Sequence, residues 1–267
     1  MRTRRRFSKV YIAVLLALMY LPIVLVIIYS FNESRISSVW TETTLDWYRA
    51  LFRDRDMFEA LRNSLVLATV SSCAAAVIGT LGAFGASRAK LKLASTVEYM
   101  SMLPIMIPEI ILGMVFLAFF SLIGLPFGMT TLIIAHTSFC IPYVFLMVKA
   151  RLSGFDNSLY DAARDLGAGE ARMFFDITLP LIFPAILSGM LLSFAMSFDD
   201  VIISVFVTGV NTNTLPIKIY SQIKTGVTPK TNALCTLLFA ATVLLGFLSV
   251  LAARPKGSRK HKKMEEL

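Results

Sequence analysis

Three carboxylates interrupt otherwise apolar stretches of this chain. Glu109 closes Ser101-Met-Leu-Pro-Ile-Met-Ile-Pro-Glu109, and the neighbours Asp199 and Asp200 sit inside Phe194-Ala-Met-Ser-Phe-Asp-Asp-Val-Ile-Ile-Ser204. An ionised carboxylate near the centre of a bilayer costs about 2.5–3.5 kcal/mol even on lenient insertion scales, so such groups face a bundle interior or a wet path. The compensating partner is a cation, yet no Lys or Arg lies in the apolar interior of any long hydrophobic segment. The pattern points to a path that receives a cation from outside the chain; the alternative is a solvated, inert aspartate at the end of a shortened segment. Adjacent helical residues diverge by about 100°, so Asp199 and Asp200 face one axis together only where the helix is locally broken.

Other chemistries find little support. The only histidines are His136, inside an apolar run and read as a hydrogen-bonded interior residue, and His261 in the tail. No Gly-x-Ser-x-Gly elbow accompanies them, and neighbouring aspartates on a helix do not make the facing pair of an aspartyl hydrolase. Cys73, Cys140 and Cys235 each lie in apolar surroundings without a Cys-x-x-Cys pair or a histidine at ligand spacing, so they pack as small hydrophobes and no metal is expected. No Gly-x-x-x-x-Gly-Lys-Ser/Thr loop is present, and the chain is not expected to bind ATP itself.

The elements that must position the carboxylates are membrane helices. The chain has 267 residues, of which 56% are hydrophobic and 16% charged, against about 45–50% and 25% in soluble domains. A soluble enzyme and an intrinsically disordered chain are both excluded by that balance. Six segments, 10–31, 64–87, 98–121, 129–149, 184–208 and 233–253, approach the roughly 20 apolar residues that cross a bilayer core. The first follows four arginines but runs on through Pro22 without a small-residue cleavage pattern, so it is expected to be retained.

The formal charge of +9 would suggest nucleic acid in a soluble protein, but the basic residues flank apolar runs. Eighteen Lys and Arg fall in 1–9, 88–97, 149–183 and 254–267, and eight in the alternate loops, which places both termini in the cytoplasm. The basic tail, Arg254 to Lys263, suits anionic lipid, a partner subunit or topology alone.

Pro104, Pro108 and Pro142 predict kinks, tolerated where a cavity or neighbouring helices satisfy the freed carbonyls. On straight helices entering from inside, Glu109 would lie ~16 Å deep and Asp200 ~24 Å deep. Gly79, Gly82, Gly85 and Ala86 predict close helix contact.

The cytoplasmic loop 149–183 carries its own pattern. Leu159, Ala162, Ala163 and Leu166 recur at helical spacing, predicting a short amphipathic helix that ends at a turn near Gly167. Asp161-Ala-Ala-Arg-Asp-Leu-Gly-Ala168, followed by Ile177-Thr-Leu-Pro-Leu-Ile-Phe-Pro184, resembles the loop motif of bacterial ABC-importer permeases: Glu-Ala-Ala, a Gly four residues on, then Ile-x-Leu-Pro. Asp161 replaces the usual glutamate and keeps its charge. The resemblance extends to the polyamine permeases of that family through Ser30-Phe-Asn-Glu-Ser-Arg35, Trp47-Tyr48, Ser197-Phe-Asp-Asp-Val201, Ser204-Val-Phe-Val-Thr-Gly209 and Leu215-Pro-Ile-Lys-Ile-Tyr220.

The resemblance implies an all-α permease with six transmembrane helices and the ABC type I importer fold, one domain over 1–267 with an ATPase-docking loop at 157–180. It implies that Trp47, Glu109, Ser197, Asp199 and Asp200 line the passage of spermidine or putrescine, and that Asp161, Ala162, Ala163, Leu166, Gly167 and Ala168 dock the ATPase. A polyamine suits spaced carboxylates and an aromatic face. The implied partners are a homologous permease, two ATP-binding subunits that hold ATP and Mg, an external polyamine-binding protein and inner-membrane lipid, with no nucleic acid. A permease for another small solute and an ion-coupled secondary transporter are the alternatives. No inverted repeat supports the latter, and the 161–184 motif has no role in it.

Overall fold

In a computed structural model of the chain, residues 2–34, 39–88, 91–154, 158–165, 167–210 and 212–252 are described. They form α1 (Arg2–Tyr29), α2 (Asp46–Phe52), α3 (Arg55–Arg88), α4 (Leu91–Met106), α5 (Glu109–Leu122), α6 (Met129–Ser153), α7 (Ser158–Asp165), α8 (Glu170–Met173), a π-helical turn (Phe174–Thr178), α9 (Leu179–Asp199), α10 (Ile202–Val207), α11 (Leu215–Thr225) and α12 (Pro229–Ala252). Among these residues the β-pairing is one antiparallel bridge, Asn32 to Thr43.

Among the described residues, five stretches are long and apolar enough to cross a bilayer: Ser8–Tyr29, Arg55–Arg88, Met129–Ser153, Glu170–Asp199 and Pro229–Phe247. Ala94–Met106 and Glu109–Leu122 pass the same test only as a pair, which is bent by 105° and makes either a broken sixth span or a re-entrant loop. The third expected span is therefore not one helix. Pro108 has φ −55° and ψ 134°, an extended conformation that ends α4 and caps α5, so Glu109 opens a new helix at the bend and its straight-helix depth does not apply. The fifth span also departs from expectation. Its helix begins upstream in the loop, at Glu170, and breaks at Asp200, where ψ turns to 128° before α10 resumes. Asp200 thus sits at a break rather than along a straight helix.

Contacts cluster into two units, Met1–Arg55 with Gln222–Leu267, and Asp56–Ser221. In the first, α12 packs on α1 and α2. The chain after α1 turns back on itself around Asn32, which is fully buried: its side-chain amide donates to the Val39 carbonyl at 2.7 Å and its Oδ1 accepts the Thr41 N–H at 3.2 Å. Such pairing is what allows an asparagine to be buried at all, since an unsatisfied amide there would cost about 1–3 kcal/mol.

The second unit is organised on α6 and α9, which run antiparallel. Gly189, Ser193 and Ser197 recur every four residues on α9 and meet Val144, Cys140 and His136 in turn. The small side chains let the backbones approach: Ser193 Oγ donates to the Cys140 carbonyl at 3.2 Å, and the Cys140 thiol donates to the Ser193 carbonyl at 3.4 Å. Within lipid, such close packing and interhelical hydrogen bonds replace the hydrophobic drive that holds soluble helices together.

Helix α3 adds Gly79 against Val144 and the Ile141 carbonyl, with Gly82 beside Phe145, whereas Gly85 faces open space. The close contact predicted for the glycine stripe is therefore made by its first two members. At the far end of α6, a Lys149–Glu98 ion pair ties it to α4.

Candidate functional site

The broken end of α9 holds the most connected polar group in the second unit. His136, on α6 and fully buried, places Nδ1 2.7 Å from Ser197 Oγ and Nε2 3.0 Å from Ser204 Oγ. The Asp200 side chain is 5% exposed, and its Oδ2 lies 3.4 Å from His136 Nε2. The same carboxylate accepts the Ile203 N–H at 3.2 Å, the Ser204 N–H at 2.8 Å and the Ser204 hydroxyl at 2.8 Å. These are the amides left free where α10 starts, and a carboxylate is the natural acceptor for them.

Asp199 and Asp200 accordingly divide. Asp200 turns inward and is consumed by internal bonds, while Asp199 is exposed on the other side of the break. Glu109 is exposed too, at the first residue of α5 and within electrostatic range of Tyr143, the residue after Pro142 on α6. Among the described residues neither Asp199 nor Glu109 forms an ion pair. Ser197 is buried and bound to His136, so its hydroxyl supports the network rather than a surface.

Helices α5 and α10 pack together beside this group, with Phe206 against Gly113. Thr131, at the start of α6, donates to the Val207 carbonyl at 2.8 Å and anchors the end of α10.

Trp47 belongs to the first unit. Its indole N–H donates to the Asn32 carbonyl at 2.8 Å, and the Tyr48 hydroxyl lies 2.6 Å from Ser30 Oγ, so α2 clamps the turn that follows α1. The half-buried indole keeps part of its ring on the surface. A separate hollow of about 460 Å³ in the second unit is lined by Asp56, Glu59, Asn63, Asn213 and Lys218, with Lys218 and Asp56 3.4 Å apart.

The loop motif folds as its spacing predicts. Helix α7 covers Ser158–Asp165 and ends in a Schellman turn: the Gly167 N–H bonds to the Arg164 carbonyl at 2.9 Å and the Ala168 N–H to the Ala163 carbonyl at 3.0 Å. Gly167 has φ +78°, a conformation that favours glycine because a Cβ would crowd the backbone. Ala163 is buried and Ala168 half-buried. Leu166 lies outside the described residues, as do the side chains of Asp161 and Ala162.

Glu170 then ties the turn to the span ends, 3.1 Å from Arg164 and 3.0 Å from Arg88 at the end of α3. Arg88 also lies over the Phe84 ring at 5.2 Å, and Phe84 packs on Phe174 at 4.7 Å. In the sequence Arg88 reads only as loop charge and Glu170 only as loop polarity. An acid a few residues beyond the motif glycine was visible, but its basic partner across the fold was not.

Residues 75–255 match the family of binding-protein-dependent transport system inner membrane components. The spermidine/putrescine transport system permease protein PotC of Haemophilus influenzae is 38% identical over 241 residues, covering 90% of this chain and 94% of the relative. The putrescine transport system permease protein PotI of Escherichia coli K12 is 39% identical, covering 90% and 89%. Among solved structures, a bacterial alginate ABC transporter in complex with an alginate pentasaccharide-bound periplasmic protein superposes with a TM-score of 0.74 at 18% identity, over 95% of each chain.

The expected all-α importer-permease fold and the expectation of a transport component rather than an enzyme both agree with these matches. Helical spans, a loop motif closed by its glycine and family similarity over most of the length converge: the chain is a multi-pass membrane protein belonging to the family of inner membrane components of binding-protein-dependent transport systems.

Proposed function

We propose that the chain is a permease subunit of an ATP-driven importer for polyamines, spermidine or putrescine, the substrate passing between it and a homologous permease. The observation that carries the substrate class is the 38% identity to a spermidine/putrescine permease over nine-tenths of the chain. The fold cannot carry it, because the same fold serves an alginate transporter, whose substrate is an acidic polysaccharide. Side-chain chemistry has to discriminate, and here the polar groups at the two helix breaks are carboxylates.

An external binding protein delivers the polyamine. Asp199 and Glu109, exposed at the two breaks, offer anionic stations to successive ammonium groups, and Trp47 adds an aromatic face near the outer turn. Each contact is partial, which lets the cation leave as readily as it enters. Asp200 and Ser197 act from behind, holding the break in shape.

Two ATP-binding subunits, which hold ATP and Mg, dock on loop 157–180 through Asp161, Ala162, Ala163, Leu166, Gly167 and Ala168, with both termini of this chain in the cytoplasm. Closure of the ATPases pushes α7, and the Glu170 ion pairs pass that motion to α3 while the continuous helix from Glu170 passes it to α9.

Uptake of labelled spermidine, putrescine and an unrelated anion by cells carrying the full set of subunits tests this reading. Polyamine uptake that Asp199→Asn lowers at matched expression supports it. Transport of the anion alone would overturn the substrate and the carboxylate roles together.

A further inference from the structure

The break at Asp200 is held by one residue from another helix. His136 reaches Ser197 before the break with one ring nitrogen and Ser204 after it with the other, at 2.7 and 3.0 Å. The Ser204 hydroxyl proton is committed to Asp200 Oδ2, so Ser204 Oγ is left to accept and His136 Nε2 carries a proton. Nδ1 faces a hydroxyl, which serves as donor or acceptor. The Phe139 ring, with its centroid 5.2 Å from the imidazole, closes the remaining side. No other side chain of α6 bonds to both sides of the break among the described residues.

From this we propose that His136 is a positioning residue for cation passage: it fixes the backbone at 199–200 through Ser197, Ser204 and Asp200, and thereby aims the Asp199 carboxylate. The geometry forces the connection. Asp200 is pinned by three hydrogen bonds with the His136 imidazole beside it, its neighbour shares the intervening peptide, and Asp199 is exposed as the last residue of α9. Preorganised charge exerts its full effect on a passing cation only when the dipoles and carboxylates need no rearrangement. The inference rests on the proposed polyamine reading for its substrate, but the aiming of residue 199 stands apart from what is carried.

The two ring nitrogens can be mimicked singly. Gln at 136 extends far enough to keep the Ser204 and Asp200 side, whereas Asn keeps only the Ser197 side. In the assembled transporter, His136→Asn is expected to raise the apparent KM for spermidine about tenfold with Vmax per intact complex little changed, the size of one lost hydrogen bond to a charged group. His136→Gln is expected to restore KM to within about twofold of wild type. Because His136 acts through Asp199, His136→Asn in an Asp199→Asn background should add almost nothing. Equal KM values for the Asn and Gln variants, or effects that multiply in the double variant, would overturn the proposal.

A second readout does not depend on transport. With Cys73 and Cys235 replaced by Ala, Asp199→Cys reacts with a cationic methanethiosulfonate, and His136→Asn should change that rate about fivefold or more while His136→Gln does not. An unchanged rate overturns the positioning role. A changed rate in a wild-type transporter that moves no polyamine leaves the positioning role in place and removes the substrate reading instead.

Discussion

Gly189 on α9 lies so close to Val144 on α6 that a Cβ at position 189 would sit 2.8 Å from the Val144 Cα and 3.4 Å from its Cβ. The obstacle is backbone, which cannot rotate away as a side-chain tip can. Gly189→Ala is therefore expected to force the helices apart and destabilise the protein by about 1–3 kcal/mol, in spite of alanine's higher helix propensity. Thermal unfolding of the purified protein in detergent checks this against Gly85→Ala, where nothing lies within 4 Å of the new Cβ. Equal melting temperatures for the two variants would show that the contact is not tight.

Asp199→Asn and Asp200→Asn should separate function from stability. Asp199 is exposed and forms no ion pair among the described residues, so on the proposed function its replacement lowers polyamine uptake and leaves the melting temperature unchanged. Asp200 accepts three internal hydrogen bonds and lies 3.4 Å from His136, and losing the charge from a buried network costs about 1.5–3 kcal/mol, which appears as less folded protein. Uptake per folded molecule and melting temperature, measured side by side, reveal the split; two variants with the same profile would contradict it.

Gly167→Val places a β-branched side chain at φ +78°. The left-handed conformation costs such a residue roughly 1–2 kcal/mol, and the Schellman turn closing α7 opens to relieve it. Weaker recovery of the ATP-binding subunits on purification through this chain is the expected result. Open space around Gly167 means that steric clash with neighbours contributes nothing.

Glu170→Gln removes two ion pairs at once, to Arg88 and Arg164. Both lie in a largely exposed setting, where such pairs are worth about 0–1 kcal/mol each, so the melting temperature should hardly move. Coupling should suffer instead, because Glu170 joins α7 to α3. The measurement is substrate-stimulated ATP hydrolysis relative to uptake in reconstituted vesicles, with a lower ratio of molecules moved per ATP expected.

Trp47→Phe keeps the ring and removes the indole N–H that reaches the Asn32 carbonyl at 2.8 Å. A loss of about 0.5–1.5 kcal/mol follows from one such bond. Faster proteolysis at residues 32–45, with the spans protected, would report a loosened turn after α1.

Much of the architecture was legible because it is local. An apolar run long enough to cross a bilayer is nearly obliged to be helical, since every backbone group must be satisfied within its own segment. Glycine after α7 was readable for the same kind of reason, a left-handed residue being needed to close that turn. Pro108 marks a break in the third span, but a proline states only that a bond is missing, and the 105° angle between the two helices that meet at its extended backbone is visible only in the fold. The break at Asp200 carried no proline at all. It is stabilised by a histidine 64 positions earlier, and periodicity has no reach over that distance.

The amino-acid sequence by itself determined which stretches are apolar enough to cross a membrane, the asymmetry of basic loops and the small helix with its closing glycine, because hydropathy, charge and turn chemistry act over one or two turns of chain. Only the tertiary structure decided which of two adjacent aspartates faces inward. That choice depends on where α6 presents a buried imidazole and where α10 leaves its first amides free. Asp200 found both, so the energy of satisfying a buried network fixed its side of the break and left Asp199 to the other.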